Sequence, residues 1–216
     1  MADSPERPAG RKFPRALRPL DPPEAVREIV ARLERAGHET WCVGGAVRDA
    51  LLGHAHKDWD LATAATPPQV MRLFKRTVPV GVEFGTVGVF GDDRVLHEVT
   101  TFRHDVSTDG RRAVVKWGAT IDEDLARRDF TINAIAYHPI RHEWKDPYGG
   151  VTDLLEKKEV RAVGVASERF REDYLRILRG ARFAARFRFC IAKETWEAMT
   201  ENAPGMVGLS AERVRE

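Results

Sequence analysis

Cysteine is nearly absent from this chain, with Cys42 and Cys190 the only two in 216 residues. Neither has a His or Cys at metal-ligand spacing and both sit among apolar neighbours, so the expectation is two buried free thiols rather than a disulfide or a metal knot. Long apolar runs are also missing. No stretch of about 18 such residues exists, which excludes a helical membrane span. The N-terminus carries Arg7, Arg11, Lys12, Arg15 and Arg18, but Pro5, Pro8, Pro14 and Pro19 interrupt it and no apolar core follows. A secretory signal is therefore excluded, residues 1–23 read as a flexible basic leader, and the expected location is the cytoplasm. Net charge is small as well: +2 is too little to argue for a nucleic-acid partner. The 7 histidines are scattered without ligand spacing, and no internal repeat is visible.

What is present is an ordinary globular composition, 43% hydrophobic and 31% charged, long enough to bury a core. Pro22-Pro23 opens a helix over 24–35, with Val26, Ile29, Val30 and Leu33 at helical spacing, and Gly37 ends it. Residues 40–43 read as a buried strand, Gly44-Gly45 turns into a helix over 46–52, and 58–62 alternate as a second strand. Pro67-Pro68 starts a helix to Lys75. Strands over 86–90 and 95–103 flank the turn Gly91-Asp92-Asp93, 104–112 is a polar loop, and 114–117 is a weaker strand. Residues 122–136 have helical character, and Asp146-Pro147-Tyr148-Gly149-Gly150 breaks the chain. Beyond Ser167 everything reads as helix: 167–187, 193–202, and 210 onward, where the last helix is cut short as though a C-terminal portion were missing. The pattern predicts a mixed-sheet α/β (α+β) domain over 24–150 and an all-α domain over 151–216.

The chemistry concentrates in a few places. Asp58 and Asp60 flank Trp59 on a strand, so both carboxylates face one way with Cα atoms about 6–7 Å apart. Such a pair is either an ordinary solvated strand face or a seat for divalent cations. Gly44 and Gly45 just upstream permit close backbone approach, and the helix behind them offers free N–H groups to an anion such as a triphosphate, with Arg48 in its first turn. Glu98 stands on an alternating strand and is either exposed or the third carboxylate of a two-metal site. Arg127-Arg128-Asp129 through Asn133 combines a phosphate-binding guanidinium with groups suited to a ribose hydroxyl. From Arg161 to Arg188 there are eight arginines. Among them Arg176, Arg179 and Arg182 follow Asp173 every three residues, with Tyr174, Leu175, Ile177, Leu178 and Ala181 on the core side. That ridge is either salt-bridged and solvated or an edge that reads a nucleobase. A nucleotide-sugar glycosyltransferase also uses an Asp-x-Asp, but it needs neither the Gly-Gly turn nor the arginine ridge.

Taken together, GGAVRD (44–49), KDWDLAT (57–63), EVTTFR (98–103), RRDFTINA (127–134), DPYGGVTDL (146–154), EDYLRILR (172–179) and GLSAERV (208–214) resemble, in order, the class II tRNA nucleotidyltransferases. These CCA-adding enzymes share a family with bacterial poly(A) polymerases. The resemblance implies a nucleotidyltransferase head, a helical neck, and Mg²⁺ held by Asp58 and Asp60, with Glu98 added to them as a third carboxylate. It implies Gly45 and Arg48 at the triphosphate, and Arg128 and Asp129 at phosphate and ribose, to which the residue reading adds Gly44 and Asn133. Asp173 and Arg176 would pair with the base of CTP or ATP, with Arg179 and Arg182 beside them, and GLSAERV would support that helix. The implied partners are a tRNA 3′ end, CTP and ATP, with no membrane and an open oligomeric state. The segment 103–112 resembles the flexible loop of A-adding members, and GVEFGTVGV (81–89) the tRNA-specific branch. The alternatives are an A-adding or poly(A) polymerase of the same family, or a nucleotide- or RNA-binding fragment without turnover.

Overall fold

The computed structural model describes residues 17–54, 58–108 and 113–215. Helix α1 (Glu24–Arg35) follows Pro23 and buries Val26, Ile29, Val30 and Leu33, each such side chain contributing roughly 1.5–3 kcal/mol of transfer free energy. Strand β1 (Thr40–Val43) runs into helix α2 (Gly44–Leu51), and strand β2 (Asp60–Thr63) returns antiparallel to β1. Helix α3 (Pro67–Leu73) begins at Thr66, whose backbone N–H donates to the Gln69 carboxamide at 2.7 Å. Strands β3 (Thr77–Gly81), β4 (Thr86–Phe90) and β5 (Leu96–Thr101) form an antiparallel ribbon, and β5 joins β2 in parallel.

Strands β6 (Arg103–Thr108) and β7 (Ala113–Trp117) pair apart from the main sheet. Helix α4 (Ile121–Ala126) opens with a Thr120–Glu123 capping box. Strands β8 (Ala136–His138) and β9 (Glu143–Lys145) complete one seven-stranded sheet in the order β3-β4-β5-β2-β1-β8-β9. A short turn, α5 (Gly150–Thr152), leads to strand β10 (Glu159–Val160) and helices α6 (Ala166–Glu172) and α7 (Leu175–Phe187). Strand β11 (Cys190–Ile191), α8 (Lys193–Asn202) and α9 (Ala211–Arg215) finish the described chain.

Two apolar clusters hold the sheet between layers. The larger joins α1, α2 and α3 to one face and continues through Phe130 to Phe170 and Phe183 of the helical part. Phe130 meets Phe183 edge-on at 5.9 Å. The smaller packs Ile121 and Leu125 of α4 against Trp41, Val43, Ala62 and Ala136 on the opposite face. Gly180 completes the joint, because a Cβ there would lie 2.9 Å from the Phe130 ring.

Several expectations are corrected. The helix expected over 122–136 stops at Ala126, followed by a 3-10 turn (Thr131–Asn133) and β8, because Phe130, Ile132 and Ile135 are drawn into the core with no helical stripe. The segment read as a loop over 104–112 is strand as far as Thr108, and residues 109–112 lie outside the described residues. The single helix expected over 167–187 is two, parted where Asp173 adopts extended φ −157, ψ 106. Cys42 is buried but Cys190 is exposed, since β11 has only two residues at the edge of a two-stranded sheet. Ala181 is exposed, and the buried stripe of α7 is Ile177, Gly180 and Phe183. Of the leader expected over 1–23, residues 1–16 lie outside the described residues, while Leu17 and Leu20 pack on the core and the Leu20 carbonyl accepts the Tyr137 hydroxyl at 3.1 Å. Among the described residues no helix is long and apolar enough to cross a membrane.

Candidate active site

A cleft of about 580 Å³ opens where the sheet meets α7. Gly44, Gly45 and Arg48 line it from α2, Asp60 from β2, and Glu98 and Thr100 from β5. Arg127, Arg128, Asp129 and Asn133 line it from the segment after α4, and Asp173, Arg176, Arg179 and Phe183 from the helical side. Sequence positions as far apart as Gly44 and Phe183 thus converge, with the sheet order setting β2 between β1 and β5.

Gly44 is indispensable to this geometry. Its φ is +72, and a Cβ would stand 3.2 Å from Arg128 Nη1 and 3.4 Å from Asp60 Oδ2. The Asp60 carboxylate and the Arg128 guanidinium therefore meet over bare backbone at the start of α2. Arg48 Nη2 lies 3.5 Å from the equivalent point on Gly45.

Arg48 is not a solvated residue of the first helical turn. It is 4% exposed, and its guanidinium stacks 5.1 Å from the Phe183 ring and 4.8 Å from Phe187. Its Nε donates to Asp49 Oδ1 at 2.8 Å and its Nη1 to Asn133 Oδ1. Burial lowers its pKa, and the Asp49 carboxylate works against that shift. Asn133 in turn donates to Asp129 Oδ1 at 2.9 Å, and Arg179 Nε donates to Asp129 Oδ2 at 2.8 Å. A continuous polar chain therefore runs from α2 through the 3-10 turn to α7, satisfying each buried polar group in it.

Asp124, which sequence reasoning passed over, anchors the neighbouring arginines. It is 1% exposed, with Oδ1 held by Arg127 at 2.7 Å and Oδ2 by Arg128 at 3.0 Å. Burial pushes its pKa up, but the two guanidiniums outweigh that and hold it below the usual carboxylate range. The spacing of 124, 127 and 128 on a helix was the available signal. Arg128 Nε is buried and has no hydrogen-bond partner among the described residues, so the guanidinium retains a donor for an incoming anion.

On the helical side, Asp173 accepts the Leu175 N–H at 3.0 Å and an ion pair from Arg213 of α9 at 2.9 Å. Arg176 donates to Glu172 at 2.7 Å and faces the Arg127 carbonyl. The structure thus brings together all but two of the residues singled out. Arg182 is exposed beside Phe183 and does not line the cleft. Asp58 is exposed two residues ahead of the first residue of β2, separated from Asp60 by the buried Trp59, and is likewise not among the cleft-lining residues.

The donor chemistry fits a hard divalent cation. Among the described residues no three His, Cys, Asp or Glu side chains converge as a complete metal cage. Mg²⁺ seldom uses one: one or two carboxylates complete its shell with water and substrate phosphates. Asp60 and Glu98 stand on adjacent strands and line the same cleft, so their chemistry fits such a role.

Residues 40–161 match the family described as the poly A polymerase head domain. The chain is 44% identical over 198 residues to a CCA-adding enzyme of Geobacillus kaustophilus, covering 90% of this chain and 48% of that protein. It is 47% identical over 189 residues to one of Streptococcus mutans, covering 86% and 46%. The chain thus spans about half the length of these curated relatives. Among solved structures, a Bacillus stearothermophilus CCA-adding enzyme in complex with CTP superposes with TM-score 0.82 at 40% identity, covering 88% of this chain and 46% of that one. A tRNA nucleotidyltransferase complexed with a primer tRNA and an incoming ATP analog gives 0.71 at 30% identity, covering 86% and 53%.

Proposed function

Because this chain belongs to the poly A polymerase head domain family, we propose that its cleft transfers CMP and AMP from CTP and ATP to a tRNA 3′ end, as a CCA-adding enzyme. The observation that carries the reading is the meeting of Asp60, Arg128 and bare Gly44 backbone at the start of α2, facing Glu98. It is supported by the names of the relatives and by the CTP and primer tRNA complexes of the solved neighbours. Residues 24–150 act as catalytic head and 151–216 as helical neck, and action in the cytoplasm belongs to the same proposal.

Gly44, Gly45, Arg48 and Arg128 hold the triphosphate, the last two by charge and the glycines by backbone N–H groups. Asp129 and Asn133, already oriented by Arg179 and Arg48, meet the ribose. Asp173 and Arg176 present one acceptor and one donor edge to the base, with Arg179 beside them and Arg182 further out. Asp60 and Glu98 in the cleft, with Asp58 two residues ahead of Asp60, would hold Mg²⁺, and the bound ion would lower the pKa of the attacking hydroxyl and neutralise the leaving phosphates. The RNA 3′ oxygen forms a bond to the α-phosphorus, the α–β bridging bond breaks, pyrophosphate departs, and the hydroxyl proton is released to solvent. Positioning and charge supply the acceleration, with no covalent enzyme intermediate.

The test is to incubate the protein with tRNAs ending before CCA, after C and after CC, with labelled CTP or ATP. Stepwise extension to CCA is expected. Incorporation of ATP alone would assign the related A-adding activity instead, and nucleotide binding without extension at any enzyme concentration would leave only a binding fragment.

A further inference from the structure

Beyond the cleft, the row of residues that carries the carboxylates continues across the sheet. Val43 pairs with Asp60, Glu98 with Gly88, and Gly88 with Val78. Asp60 and Glu98 each stand one residue before the Leu61–Val99 pair. Val43, Asp60, Glu98, Gly88 and Val78 therefore form one line over five adjacent strands, reaching roughly 10 Å past Glu98 at about 4.8 Å per strand. The anion-facing groups all lie at one end of this line, with Arg128 over Gly44 and Arg48 beside Gly45. Displacement at phosphorus is in line, so the nucleophile enters opposite the leaving group. A pyrophosphate at Gly44 and Gly45 puts the attacking hydroxyl above Glu98 and Gly88.

The sheet presents an apolar ledge there. A Cβ on Gly88 would meet Leu96 Cδ1 at 2.8 Å and Val80 Cγ2 at 3.0 Å, so these two side chains close over the bare backbone. Val78 is 38% exposed, Val80 46% and Phe84 41%. The ledge is continuous with the cleft: the Phe84 ring lies 3.7 Å and Thr86 4.0 Å from the Cβ position of Gly81, and the Thr86 hydroxyl meets that of cleft residue Thr100 at 3.0 Å. Arg103 of the next strand donates to the Phe84 carbonyl and fixes the turn that carries this ring.

We propose that Val80, Phe84 and Leu96 form the subsite for the last nucleotide of the RNA acceptor, its base lying on the ledge and its 3′ oxygen above Glu98. The assignment rests on the nucleotidyl-transfer reading of the cleft. A flat apolar floor with one aromatic takes any base by stacking, which suits an acceptor whose terminal base changes with each addition.

A short RNA hairpin with a 3′ overhang ending in 4-thiouridine tests this by photocrosslinking to the full chain and mass spectrometry of the adduct. Crosslinks are expected on residues 78–88 or 96. Crosslinks confined to α7, or none at saturating RNA, would overturn the ledge. In parallel, Val80→Asp and Phe84→Ala should each raise the KM for the RNA roughly tenfold and leave the calorimetric Kd for CTP unchanged. An unchanged RNA KM, or an equal loss of CTP affinity, would also overturn it. Ledge crosslinks from a wild-type chain that extends no RNA would instead count against the transfer reading and keep the ledge as an RNA site.

Discussion

At Gly44 the backbone takes φ +72, and even a methyl group would crowd the guanidinium of Arg128 and the carboxylate of Asp60. Left-handed backbone costs a non-glycine residue roughly 1–2 kcal/mol. Gly44→Ala is therefore expected to lower the stability to urea by about that amount and to weaken CTP binding as Arg128 and Asp60 are pushed apart. A variant with wild-type denaturation midpoint and CTP affinity would show that the site does not depend on this bare backbone. The same scale shows what was legible beforehand. Gly44, Asp60, Asp129 and Asp173 announced themselves by residue type and local spacing. The links Arg48–Asn133 and Asp129–Arg179 span 85 and 50 residues, and no local pattern encodes partners that distant. Asp124 was missed because an acidic residue in a first helical turn also fits simple dipole stabilisation.

Elements with a strong apolar period were readable and those without it were not. Helix α1 appears with the expected bounds because five buried apolar side chains repeat along one face. Strand β3 went unread because Pro79 interrupts it and its central residues are exposed, and β8 because three residues carry no period. The break between α6 and α7 also lacked a signal, since neither glycine nor proline stands there. It arises because Asp173 turns out of the helix to accept the Leu175 N–H and the Arg213 guanidinium. Arg213→Ala should consequently loosen Asp173. The pair is partly exposed, so the cost in stability is below about 1 kcal/mol, while discrimination between CTP and UTP should fall, read as the ratio of their kcat/KM values. A large loss of stability with unchanged discrimination would place Arg213 in packing alone.

The described chain is a sheet clamped between two apolar clusters, with its carboxylate-bearing row running across the strands and Phe130 packed on Phe170 and Phe183 of the helical part. Its edge near β8 carries a titrating group. His138 is 1% exposed against Trp41, and burial lowers its imidazole pKa despite the opposing Glu34 carboxylate. The unfolded chain then binds the proton more readily, so this contribution to stability is complete above the ordinary histidine pKa of about 6.5 and is lost as pH falls through the lower folded value. The Tm of the wild type should drop between about pH 7.5 and 5.5 more steeply than that of His138→Gln; parallel curves would contradict this. In the proposed function Asp60 seats the cation and nucleotide for transfer. The most direct test of that role is labelled CMP incorporation into a tRNA lacking CCA, comparing wild type with Asp60→Ala at matched thermal stability. The expected result is a loss of roughly 10²–10³-fold or more with the melting curve unchanged, and incorporation at the wild-type rate would contradict the assignment.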